Sequence, residues 1–84
     1  MFLEDAPDRL DSIHRSIQDG DAEEVSREAH GIKGAAANLS ANQIRDIARE
    51  METAGKDGDL GALTALFEEL RREFGRLADF AKSL

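Results

Sequence analysis

The chain contains no cysteine, no tryptophan and no tyrosine, and a single proline, Pro7. Without cysteine it has neither a disulfide framework nor a thiolate metal site, and a reducing, cytoplasmic setting is expected. Its only aromatics apart from histidine are four phenylalanines. Strand formers are few, whereas Ala, Leu, Glu, Asp and Arg are plentiful, which is a helix-forming composition. No apolar run approaches the roughly 20 residues of a membrane-spanning helix, so no membrane contact is expected. The opening MFLEDAPDRL is too acidic for a secretory signal. Positive charge is also scarce: 11 Lys and Arg stand against 18 Asp and Glu, for a net charge of −7. Such a surface repels phosphate backbones and argues against nucleic acid as a partner. At 84 residues the chain has room for one domain, 1–84, with one modest core.

Three short turn clusters punctuate it: Asp19-Gly20-Asp21, Leu39-Ser40-Ala41 and Gly55-Lys56-Asp57-Gly58-Asp59. Gly20 and Gly55 suit the left-handed position after a helix end, where a missing Cβ removes the steric penalty. Asp21 and Asp59 suit the position before a helix, where a carboxylate accepts from free backbone N–H groups. Ser40 with Gln43 forms an S-x-x-Q capping box. Between these marks the apolar spacing is helical, giving helices over about 2–18, 22–38, 41–54 and 60–83. The first carries the stripe Phe2, Leu3, Ala6, Leu10, Ile13, Ile17. Pro7 requires it either to start just before the proline or to kink. The second carries Val25, Ala29, Ile32, Ala36, Leu39, and the third Ile44, Ile47, Ala48, Met51. The fourth carries Leu60, Leu63, Phe67, Leu70, Phe74, Leu77, Ala81, Leu84, widened by Leu66 and Phe80. Four one-sided helices joined by short turns predict an all-α fold, an antiparallel up-down four-helix bundle. The fourth stripe would also serve a coiled-coil dimer, but a monomeric bundle needs it for its own core. Fold alone does not assign function.

One constellation carries chemistry. On a wheel advancing about 100° per residue, His30 points about 140° from the core stripe of the second helix. It is therefore expected mid-helix and exposed, sharing its face with Glu23, Ser26, Lys33, Gly34 and Ala37. Lys33 lies at i+3 and Gly34 at i+4, where side chains meet on a helix surface. Glycine in an exposed helix interior costs about 1 kcal/mol relative to alanine, with no local compensation visible. A projecting imidazole over a smooth floor, with one ammonium beside it, suits a nucleophile that must enter another protein's active site. Unperturbed imidazole is mostly neutral near pH 7, so a ring nitrogen can attack phosphorus without a separate base. Lys33 can pair with phosphoryl oxygens. The sequence has no phosphate-cradling Gly-rich loop and no Mg²⁺-type carboxylate cluster, which leaves that machinery to a partner. His14 has no such surroundings and reads as a solvated side chain, and the two histidines lack the spacing of a metal pair.

The stretch AHGIKGAAANLSA, residues 29–41, resembles the signature of histidine-containing phosphotransfer (HPt) domains, H-x-[LI]-K-G. The opening FLEDAPDRL and the DGD turn are similar too, so the likeness spans nearly the whole chain. The resemblance implies that His30 is the phosphoacceptor, Lys33 the phosphoryl-stabilising cation and Gly34 the opening that admits the partner. It also implies response-regulator receiver domains as partners, in some contexts on a hybrid histidine kinase, and no ATP site or cofactor of the chain's own. Mg²⁺ is expected on the receiver. Glu23, Ser26, Arg27 and Ala37 are expected to contribute to docking, together with the adjoining face of the first helix. Three departures stand out. Ser40 replaces a glycine usual ten residues after the histidine. Glu52 stands where some members carry glutamine, so a carboxylate facing the phosphoryl group must either turn away or tune its lifetime. An extra N-terminal helix of fuller domains is missing, which fits a segment of a larger sensor kinase. Two other readings compete with this one: a helical interaction or dimerisation module with an incidental His30, and the phosphoaccepting domain of a chemotaxis-type histidine kinase.

Overall fold

A computed structural model describes residues 2–38 and 41–83, with side chains from Ala6 onward. Four helices follow one another: α1 (Phe2–Gln18), α2 (Ala22–Asn38), α3 (Asn42–Asp57) and α4 (Leu60–Lys82). The described residues contain no strand. α1 begins at Phe2, as the expected span of 2–18 has it, and runs through Pro7. The ring removes one backbone donor, leaving the Leu3 carbonyl without its intrahelical partner.

The turns are set by single residues. Gly20 has φ +73°, Gly20 N–H donates to Ile17 O and Asp21 N–H to Ser16 O. This paired closure satisfies carbonyls that the end of α1 leaves open. Asp21 Oδ1 then accepts from Glu24 N–H at 3.1 Å, and Asp59 Oδ1 from Ala62 N–H at 3.1 Å, so both aspartates cap the helices that follow them. The third helix differs from expectation. It does not stop at Gly55: that residue is buried inside α3, and the left-handed position falls on Gly58 at φ +72°. Gly58 and Asp59 N–H donate back to Gly55 O and Ala54 O. At the other end of α3 the capping position is held by Ala41, with no side-chain cap. Ser40 of the expected capping box lies outside the described residues.

α1 packs on α2 and α4, and α3 packs on α2 and α4, so each helix lies beside its neighbours in sequence and the ring closes between α1 and α4. Contacts across the α1–α2 and α2–α3 seams run in opposite chain directions. Ser16 meets Glu28 while Arg9 lies over Gly31, and Gly55 meets Ala22 while Glu52 meets His30 and Lys33. The molecule extends 39 × 20 × 19 Å, its long axis along the helices.

The core draws on every helix: Ala6 and Ile13; Val25, Ala29, Ile32 and Ala36; Ile44, Ala48 and Met51; Leu63, Phe67, Leu70 and Phe74. Leu10, Ile17, Ile47, Leu66 and Leu77 pack against it half-buried. The stripe of α4 overreaches at both ends, because the packed length of the bundle ends before the helix does. Leu60 and Ala81 are exposed, and Phe80 is 62 % exposed. Leu39 and Leu84 lie outside the described residues, as do the side chains of Phe2 and Leu3.

Candidate functional site

His30 sits in the middle of α2 with its side chain 67 % exposed. The core stripe at Val25, Ala29, Ile32 and Ala36 fixes the helix's rotation, and that rotation turns His30 outward. Its ring is nevertheless held. Nδ1 lies 2.7 Å from Glu52 Oε2 on α3. The other oxygen of that carboxylate, Oε1, accepts from Lys33 Nζ at 2.7 Å. One carboxylate thus bridges the imidazole and the ammonium that stand one turn apart on α2.

The glutamate is the least exposed of the three, its side chain 14 % accessible against 31 % for Lys33. The hydrogen bond from Lys33 holds its carboxyl below the ordinary 4.5; burial opposes this, and the bond to His30 adds to the lowering. Glu52 is therefore an anion where the site operates. In the neutral ring, an anion accepting at Nδ1 places the proton on that nitrogen and leaves the lone pair on Nε2. With His30 unphosphorylated, Glu52 faces the ring. The family resemblance puts Glu52 near the phosphoryl group, but its bond to the imidazole is not legible in the sequence, because residues 22 apart on different helices show no shared periodicity.

Gly34 is exposed, and a Cβ built on it would meet nothing within 4 Å. No neighbour within the chain requires a glycine there. Glu23, Arg27 and Ala37 are exposed as well, and Arg27 is engaged by Glu24 on its own helix. Ser26 is a correction. It was expected on the open face, but it is only 6 % exposed and its hydroxyl donates to the Glu52 carbonyl at 2.9 Å. The wheel angle put it at the edge of the open face, and α3 covers that edge. Beside the histidine, a shallow groove between α1 and α2 is lined by Arg9, Ser12, Arg27, Glu28 and Gly31. His14, expected to be merely solvated, is exposed but lays its ring against Phe67 of α4, with centroids 5.3 Å apart. No group of three or more His, Cys, Asp or Glu side chains among the described residues is placed to hold a metal ion, and no helix there is long and apolar enough to cross a membrane.

The Hpt domain family model matches residues 1–80. The chain belongs to the Hpt domain family. It is a histidine phosphotransfer module of a phosphorelay, and family members pass phosphoryl groups to receiver domains. Among solved structures it is similar to histidine-containing phosphotransfer protein B (HptB) from Pseudomonas aeruginosa PAO1. That likeness has a TM-score of 0.93 and 33 % identity, covering 98 % of this chain and 71 % of the other. Comparison with curated proteins gives no match.

Proposed function

We propose that His30 is the phosphoacceptor of this module and that it reacts through Nε2. The observation that carries this reading is the bond between Nδ1 and Glu52 Oε2, which favours the neutral tautomer with its lone pair on Nε2, the nucleophile of this scheme. In the accepting direction Nε2 attacks the phosphorus of a receiver's aspartyl phosphate. The N–P bond forms as the P–O bond to the carboxyl breaks, and the aspartate leaves as carboxylate. The ring, now carrying phosphoryl on Nε2 and hydrogen on Nδ1, gains positive charge against the Glu52 carboxylate. Donation to a second receiver reverses each step.

Lys33 fits two duties. It neutralises Glu52, so the incoming phosphoryl group meets an ion pair and not a bare anion, and it lies one turn from His30, in reach of phosphoryl oxygens. Gly34 leaves the floor open to the receiver. Glu23, Arg27, Ala37 and the adjoining face of α1 form the docking surface, while Ser26 acts from within. A divalent ion belongs to the receiver's carboxylates in this scheme. The module itself is a monomeric cytoplasmic carrier with no nucleotide chemistry.

The test is relay from a phosphorylated receiver. Label should appear on the wild type as an acid-labile, base-stable adduct and should be absent from His30→Gln. Label that persists in His30→Gln would move the acceptor elsewhere.

A further inference from the structure

α2 and α3 approach each other closely one turn from Glu52. A Cβ at Gly55 would stand 2.7 Å from Ala22 O, 2.8 Å from Ser26 Cβ and 2.9 Å from Ser26 N. Two of these three atoms are backbone, so no rotamer change on α2 makes room. Elsewhere in the core alanine suffices: Ala29, Ala36 and Ala48 are fully buried with their methyl groups in place. Only at Gly55, alone among the glycines of the described residues, is even a methyl excluded at these distances. A glycine inside a helix costs about 1 kcal/mol relative to alanine, so this close contact is held against local propensity.

The same seam grips the residue that works in the site. Ser26 Oγ donates to Glu52 O at 2.9 Å, although that carbonyl already lies within α3. The main chain of Glu52 is thereby tied to α2 at Ser26, while its carboxylate reaches His30 and Lys33 further along α2. Both carboxylate bonds are 2.7 Å long, with little slack. Ordinary carbon contacts need about 3.4–4.0 Å, so a methyl at 55 must part the helices locally by roughly 0.5–1 Å. At that separation bonds of this length stretch to where they weaken steeply.

We propose that Gly55 and Ser26 are positioning residues for the phosphoacceptor: their contact sets the α2–α3 distance and the main-chain position from which Glu52 holds the His30 ring and Lys33 together. This deepens the assignment of His30, and its primary readout needs no phosphoryl transfer. In ¹⁵N-imidazole NMR of the whole chain, neutral wild-type His30 should carry its proton on Nδ1. Gly55→Ala and Ser26→Ala should each move it toward the Nε2-protonated form, in the direction given by Glu52→Gln. Leu70→Ala, which empties the core on α4, should lower stability without moving the tautomer. Labelling of His30 by phosphoramidate should slow in Gly55→Ala by about tenfold or more.

Wild-type tautomer populations in both seam variants, or an equal shift in Leu70→Ala, would overturn the proposal. Should Gly55→Ala fail to fold, Ser26→Ala decides alone. A tautomer shift without any phosphoramidate label on the wild type would leave the seam standing and remove the phosphoacceptor assignment.

Discussion

Replacing Glu52 by glutamine keeps the size of the side chain and removes one acceptor and one charge. The glutamate now accepts from His30 Nδ1 and from Lys33 Nζ, one through each oxygen. A glutamine has a single oxygen for two donors. If Lys33 takes it, the amide NH₂ faces Nδ1 and favours the tautomer with the proton on Nε2, which blocks the nucleophile. A buried charge-assisted hydrogen bond contributes about 1.5–3 kcal/mol. His30 is two-thirds exposed, so water recovers part of that, leaving about 1–1.5 kcal/mol and a rate loss of roughly tenfold. The opposing effect is relief of repulsion between the carboxylate and the phosphoryl group. For charges about 6 Å apart in water this is on the order of 1 kcal/mol, and Lys33 on the same carboxylate cancels most of it. The tautomer effect therefore prevails, and phosphoramidate labelling of His30 should slow about tenfold in Glu52→Gln. The pH dependence of stability gives a second readout. A carboxyl held below 4.5 in the folded state stabilises the fold above that value, and the contribution fades as pH falls through the lowered value. The wild-type advantage in denaturant unfolding should thus be present at neutral pH and shrink on acidification below about 4.5. Labelling at the wild-type rate, with a stability difference flat across pH, would refute the reasoning.

Other perturbations separate fold from site. Gly34→Ala should raise stability by about 1 kcal/mol, seen as a higher Tm, because a methyl there meets nothing; larger residues such as Gly34→Leu should slow receiver relay while leaving phosphoramidate labelling intact. Asp59→Ala should cost about 1 kcal/mol in denaturant unfolding by removing the cap on Ala62 N–H, with no change in His30 labelling. Leu70→Ala should cost about 2–5 kcal/mol, since the side chain is wholly buried.

The parts of the molecule that follow local rules were legible in the sequence. The four stripes and the aspartate caps depend on spacings of three and four residues, and the core at Val25, Ala29, Ile32, Ile44, Met51, Leu63 and Leu70 follows from them. So does the outward rotation of His30, with Lys33 and Gly34 on neighbouring turns. What was not legible depends on how two helices meet. Gly55 looks like a helix end because glycine usually marks one, yet the chain continues for two residues and uses Gly58 instead. The reason is the approach to Ala22 and Ser26, which no pattern within α3 reveals. Ser26 was misplaced for the same cause: the wheel gives its angle but not the width of α3 beside it. Phe80 shows the converse limit, an apolar position in perfect register that lies beyond the end of the packed bundle.

The central claim is that His30 carries the phosphoryl group on Nε2, with Nδ1 protonated against Glu52. It is tested most directly by phosphorylating the ¹⁵N-labelled protein with phosphoramidate and reading the imidazole by ¹⁵N and ³¹P NMR. The account predicts one adduct, on Nε2 of His30, with the Nδ1 proton retained, and no adduct in His30→Gln. Phosphorylation on Nδ1, or on a residue other than His30, would contradict it.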